Sequence, residues 1–226
     1  GPDSAEAATG ALERAAAAVI GSGMGRDSQT AELIRSLVAT APCPLVIDAD
    51  GLNAFAARPA DLATRPAPAA PGVAPALTAP TTVLTPHAGE LGRLLDIPSA
   101  EVSRRRLAHA AELARASAAT VVLKGDDTII TDGRRLAVNT LAAPALATAG
   151  TGDVLAGVIA ALIARGLADP FEAACMAVHA HARAGRLAAE CLGNPDSVIA
   201  TDVIAALPAA LTPARDHGST RRARSG

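Results

Sequence analysis

Apolar residues along this chain gather in short runs, and each run stops at a cluster of Gly, Asp, His or Asn. Short apolar runs bounded by turn residues mark strands buried on both faces. Residues 15–20, 44–47, 82–84 and 120–123 are such runs and are expected to be strands. A hairpin is expected from Ile129–Thr131 and Arg135–Asn139, turning through Asp132-Gly133. Helical spacing marks residues 30–39 and 99–117, the apolar stretch 154–163 and a long helix from about Asp169 to Leu192. A last short helix follows Thr201-Asp202, which is expected to cap it. Residues 56–80, rich in Ala and Pro, read as an irregular surface insertion. Strand alternating with helix predicts a three-layer α/β fold, a mostly parallel sheet with helices on both faces. Residues 1–212 are expected to form one domain, and residues 213–226, with Arg221 to Arg224, a disordered basic tail.

In open sheets of this kind ligands bind beyond the C-terminal ends of the strands. The polar clusters occupy that position. Gly21-Ser22-Gly23-Met24-Gly25 follows the first run, Asp48-Ala49-Asp50-Gly51-Leu52-Asn53 the second, Thr85-Pro86-His87-Ala88-Gly89-Glu90 the third, and Lys124-Gly125-Asp126-Asp127-Thr128 the fourth.

Composition narrows the picture. Hydrophobic residues make up 50% of the 226, yet aromatics only 1%, so the core must be built from Ala, Val, Leu and Ile. Such a core suits helices packed closely on a sheet. A net charge of −2 gives no general pull toward nucleic acid or anionic membranes. No apolar run reaches membrane-spanning length without polar interruption. Cys43, Cys175 and Cys191 lack metal-ligand spacing, and so sparse a set fits buried thiols in a reducing cytoplasm.

The chemistry concentrates at Gly150-Thr151-Gly152-Asp153, directly before the apolar stretch at 154–163. Glycines allow a tight turn, and a helix N-terminus presents N–H groups to an anion. A carboxylate beside such an anion hole is placed to take a proton while phosphate is held, which suggests phosphoryl transfer to a hydroxyl. The plainer alternative is an Asp-capped helix.

Together these segments resemble the ADP/ATP-dependent NAD(P)H-hydrate dehydratase family, which has a ribokinase-like fold. The resemblance runs over roughly residues 15 to 208, and its most specific pieces are Asp48 to Asn53 and Thr85 to Glu90. Gly150 to Asp153 is shared, in variants, with sugar and vitamin kinases. The resemblance implies repair of reduced nicotinamide cofactors that have added water: the new hydroxyl is phosphorylated from ADP or ATP, and loss of phosphate restores NADH or NADPH. It implies Asp153 as the general base. Gly150, Thr151, Gly152, Lys124, Gly125, Asp126, Asp127, Thr128 and Asn139 are implied on the nucleotide, with Gly23, Gly25, Asp50, Asn53 and His87 on the hydrate. Glu90 could hold a Mg²⁺-bound water or cap a helix beginning nearby. Mg²⁺ with ADP or ATP, a homo-oligomer, and functional partnership with an NAD(P)H-hydrate epimerase complete the implication.

Some positions depart from the pattern. Ser22 stands where the family usually has Pro, Ala88 where it often has Pro, and Ala142 near an expected Gly. Further strand–helix units usually precede the Gly-rich loop, so the domain is expected to be N-terminally shortened. The epimerase domain to which relatives are often fused is not seen in these residues. Two other readings compete: a vitamin-precursor kinase of the same fold, and a non-catalytic nucleotide-binding module.

Overall fold

A computed structural model describes residues 2–65 and 81–212. Most of the Ala/Pro-rich insertion and the whole basic tail lie outside these residues. The elements run α1 (Pro2–Arg14), β1 (Ala18–Ile20), α2 (Ser28–Thr40), β2 (Leu45–Ile47), α3 (Asp50–Asn53), β3 (Thr82–Leu84), α4 (Ala88–Leu95), α5 (Ser99–Arg104) and α6 (Arg106–Ser117). They continue with β4 (Thr120–Leu123), β5 (Thr128–Thr131), β6 (Leu136–Asn139), α7 (Thr151–Ala164), α8 (Pro170–Leu192) and α9 (Ala200–Leu211). Short 3-10 turns occupy Pro59–Thr64, Pro144–Leu146 and Pro195–Ser197.

One six-stranded sheet runs in the order β1-β2-β3-β4-β5-β6. The first four strands are parallel, and β5 and β6 add an antiparallel hairpin. Alternation along each strand divides the core between two faces. Leu45, Ile47, Leu84, Val121, Leu123 and Ile129 point to one side, packing with α2, α4 and α6. Val46, Val83, Val122 and Ile130 point to the other, under α7 and α8. The inward face of α8 is largely alanine, including Ala173, Ala174, Ala177 and Ala184, which allows close approach to its neighbours.

The four apolar runs are strands, and the hairpin turns where expected. Four expectations need correction. Of the three thiols expected to be buried only Cys43 is, while Cys175 is partly buried and Cys191 exposed. The helix expected over 99–117 is two, because Arg105 leaves the helical region at φ −135°, ψ 45°. Asp202 is not the cap of α9: Ile199 holds that place, and Asp202, three residues on, accepts its N–H at 2.9 Å. The insertion is not wholly irregular, since Pro59–Thr64 forms a 3-10 turn anchored by buried Leu62.

Arg65, only 5% exposed, lies at the N-terminal edge of the sheet. It donates to the backbone oxygens of Val38, Ala41, Cys43 and Thr81 and to Thr82 Oγ1, at 2.6–3.3 Å. Burial pulls its pKa down to about 10, which leaves it charged at neutral pH. No helix among the described residues is long and apolar enough to cross a membrane.

Candidate active site

At the C-terminal edge of the sheet the loops after β1, β2, β3 and β4 are stitched to one another. The N–H of Asp48 donates to Ile20 O, that of Thr85 to Ile47 O, and that of Lys124 to Pro86 O. The first two loops meet at Gly21 and Gly51. A Cβ on Gly21 would lie 1.8 Å from the Asp48 carbonyl oxygen, and one on Gly51 2.6 Å from that of Ile20. Only paired glycines permit this approach, and it carries the Ser22–Gly25 loop over the sheet edge.

Asp153 stands in the first turn of α7, exposed to solvent. The helix starts at Gly150, whose φ of +85° is the left-handed turn that glycine tolerates. Ser22 Oγ donates to Asp153 Oδ1 at 2.5 Å, tying the first loop to α7 across the edge. The hydroxyl of Thr151 is spent on the Leu146 and Thr148 carbonyls, so Thr151 fixes the turn. The N–H groups of Gly152 and Asp153 have no acceptor among the described residues, as expected for a helix's first turn.

Beneath this turn lies an ion pair between partly buried Lys124 and buried Asp48. Lys124 Nζ donates to Asp48 Oδ1 at 2.9 Å and lies 3.9 Å from Glu90 Oε2. A Cβ on Gly152 would come within 3.6 Å of that ammonium, so the Lys124 charge sits just under the helix N-terminus. Glu90 accepts the His87 N–H at 2.8 Å while His87 Nδ1 accepts from Gly89 and Glu90, a capping box at the start of α4. Of the two roles weighed for Glu90, the geometry displays the cap. The His87 side chain remains 54% exposed at the edge.

Other residues hold the loops. Asp50 accepts from Arg26 Nε at 2.8 Å and from the Gly25 N–H at 3.0 Å, and these bonds, Arg26 foremost, lower its carboxyl pKa. Asn53 accepts from Arg93 and donates to the Ala49 carbonyl. Both side chains therefore brace the loops after β1 and β2, and Gly23 has nothing within 4 Å of where its Cβ would be.

On the far side of α7 is a cavity of about 680 Å³. Lys124, Gly125, Asp126, Thr128, Asn139 and Gly152 line its polar end. Leu141, Pro144, Leu146, Leu155 and Val178 line an apolar part. Asp127 is exposed, and its carbonyl accepts from Arg106 at 2.8 Å. Arg106 donates to the Leu123, Lys124 and Asp127 carbonyls and so braces the Lys124–Asp127 loop.

The structure thus places Asp153, Gly152 and Lys124 together, and Gly125, Asp126, Thr128 and Asn139 along the adjoining cavity. Sequence reasoning missed Ser22, Arg106 and the buried His181 of α8, a further cavity residue. The glycine pair at 21 and 51 was the available signal for Ser22. Among the described residues no group of three or more His, Cys, Asp or Glu side chains could hold a metal ion.

The mostly parallel sheet flanked by helices, with α7 starting at the edge where the loops after its parallel strands meet, has the ribokinase-like fold. The chain superimposes on a ribokinase-like superfamily protein from Enterococcus faecalis with a TM-score of 0.70, at 25% identity over 92% of this chain and 67% of that one. It matches the ADP/ATP-dependent NAD(P)H-hydrate dehydratase of Bacillus subtilis, co-crystallised with ATP/Mg²⁺, with a TM-score of 0.69 at 27% identity, covering 90% of this chain and 70% of that one. The family model for NAD(P)H-hydrate dehydratase matches residues 2–209. The bifunctional NAD(P)H-hydrate repair enzyme of Salinibacter ruber is 41% identical over 213 residues, 92% of this chain and 36% of that protein. This chain belongs to the NAD(P)H-hydrate dehydratase family. It spans about a third of the length of the curated relatives it matches.

Proposed function

We propose that this chain dehydrates NADH or NADPH hydrate at the expense of ADP or ATP, with Asp153 as general base. The observation that carries the reading is the exposed Asp153 carboxylate, held by Ser22, beside two unclaimed N–H groups and above the Lys124 ammonium. Asp153 takes the proton of the hydrate hydroxyl as its oxygen attacks the terminal phosphorus of the nucleotide. The bridging P–O bond breaks, and the shortened nucleotide departs with the electron pair. The Gly152 and Asp153 amides hold the transferring group, whose charge the helix dipole and Lys124 offset. Loss of phosphate from the ring carbon and of a proton from its neighbour then restores the double bond. Mg²⁺ would enter with the nucleotide as part of that substrate and offset the charge of its phosphates.

We assign the nucleotide to the cavity bordered by Lys124, Gly125, Asp126, Thr128, Asn139, Thr151 and Gly152, with Asp127 and Gly150 next to these in the chain, and the hydrate to the opposite side of Asp153. Gly23, Gly25, Asp50, Asn53 and His87 shape that side. We read residues 1–212 as one dehydratase domain, supported by the continuous sheet. Cytoplasmic placement, supported by three free cysteines, homo-oligomerisation and work alongside an epimerase belong to the same proposal.

The test is recovery of dihydronicotinamide absorbance from NADH hydrate with Mg²⁺ and ADP or ATP. Nucleotide-dependent recovery is expected, with at least about a hundred-fold loss in Asp153→Asn and nucleotide binding retained. Undiminished turnover in that variant overturns the role of Asp153, and a phosphate ester that persists as product would make the chain a kinase.

A further inference from the structure

His181 lies on α8 and lines the cavity, yet it is only 6% exposed. Its Nε2 is buried with no hydrogen-bond partner, one of two such side-chain atoms among the described residues. The other, on His109, belongs to a ring whose Nδ1 is bonded to Glu112 and whose Nε2 lies 3.8 Å from Glu101. Among the described residues no carboxylate forms an ion pair with His181. A buried polar atom without a partner is costly, and native structures keep one only where something else satisfies it. Burial also drives the imidazole pKa down to about 4, against a weaker opposing pull from the Thr151 backbone. The ring is therefore neutral at physiological pH, with one donor and one acceptor nitrogen.

The surroundings decide which part of a ligand such a ring would meet. Phosphates are drawn to the polar end, where Lys124 and the Gly152 amide supply positive charge. His181 offers none, and its neighbours along the wall include Leu155, Val178 and Ala182. Apolar walls with one neutral hydrogen-bonding ring suit a flat heteroaromatic group whose edge carries its own donors and acceptors.

We propose that His181 is a specificity-determining residue that hydrogen-bonds the base of the nucleotide in this cavity. The proposal rests on the nucleotide-dependent reading above and adds the residue that reads the base. It predicts that the cavity distinguishes nucleotides at the base edge and that this discrimination is lost without the imidazole.

The experiment uses the full chain, with binding measured by calorimetry for ADP, ATP, purine-riboside triphosphate, which lacks the amino group, and inorganic tripolyphosphate. In the wild type, ATP is expected to bind about ten-fold tighter than purine-riboside triphosphate, the worth of one buried hydrogen bond. His181→Phe keeps a flat ring and should bind ADP and ATP about ten-fold more weakly, erase that preference, and leave tripolyphosphate unchanged. His181→Gln should restore part of the difference. Equal weakening of tripolyphosphate and ADP would show a role in shaping the phosphate turn and overturn the proposal. So would unaltered ADP affinity in His181→Phe, or a wild type indifferent to the amino group. A folded wild type that binds no nucleotide would instead overturn the function proposed above, and this inference with it.

Discussion

Two cations, Arg65 fully and Lys124 partly buried, sit at opposite edges of the same sheet, and they are satisfied in opposite ways. Arg65, at the N-terminal edge, reaches four backbone carbonyls and one hydroxyl. Its planar fork suits several fixed acceptors at once. Lys124, at the C-terminal edge, pairs with Asp48 and stands near Glu90, both ionisable. Its side chain is 25% exposed, toward the turn that starts α7. An ammonium has three donors, and Asp48 occupies one. The Arg65 site is closed: its partners are four main-chain carbonyls and one uncharged hydroxyl, and a ligand has nothing to add. The Lys124 site is open, with charge left over on the side where an anion would arrive. The N-terminal edge holds the structure together and the C-terminal edge keeps a cation available.

The largest effect should come from closing down the first site. Arg65→Met leaves four carbonyls and a hydroxyl without their donor, and at about 1 kcal/mol each the loss is about 5 kcal/mol. Denaturant midpoints would register this, with turnover per folded molecule unchanged. A loss under about 1 kcal/mol would remove Arg65 from the comparison.

Lys124→Met should cost about 4 kcal/mol, because it strands buried Asp48 without a partner. Here the double variant Asp48→Leu/Lys124→Met sharpens the contrast: stability returns, and nucleotide-dependent turnover does not. Recovery of both would mean that Lys124 only neutralises Asp48.

A third buried base, His181, sets a pH limit. Its folded pKa of about 4 lies below the ordinary value of 6.5. Between those values the unfolded chain binds the extra proton, so stability is complete above about pH 6.5 and falls as pH drops toward 4. A shift of this size corresponds to about 3 kcal/mol. Melting of wild type and His181→Phe across that window measures the difference, and parallel acid profiles would refute the assignment.

The smallest effect belongs to Ser22→Ala. Removing the Asp153 hydrogen bond should lower turnover by about ten-fold, the scale of one hydrogen bond. Nucleotide affinity should hold. A kcat equal to wild type would show that Ser22 does not hold the base in its working position.

Much of this arrangement was legible locally. Strands announce themselves by apolar runs that end in polar loops, and the Gly150–Asp153 turn carries its chemistry in consecutive residues. Lys124 could be placed at the right edge because it follows a strand directly. What stayed hidden depends on partners distant in sequence. Arg65 looks like an ordinary charged residue inside an Ala/Pro-rich stretch until α2, β2 and β3 close around it. Arg106 sits among three arginines, and only the fold shows which of them turns under the Lys124 loop. His181 lies two residues from His179 on α8, and nothing in the spacing says that one is buried and the other exposed. The break at Arg105 escaped for a different reason, since Arg is a good helix former and tertiary packing overrode its preference.

Arg135 has a consequence for the cavity that lies well away from it. It bonds Asp132 in its own hairpin turn and Asp169 at the head of α8, and its guanidinium lies 4.3 Å from the centre of the Phe171 ring. The hairpin that begins at Thr128 and ends at Asn139 is thereby bolted to the helix that bears His181. The arrangement is a pair of calipers, with the screw at Arg135 and the jaws at Asn139 and His181. On the proposed reading, the gap meant for a planar ring is gauged from the opposite end, so changes at residues remote from the ligand would reset its width.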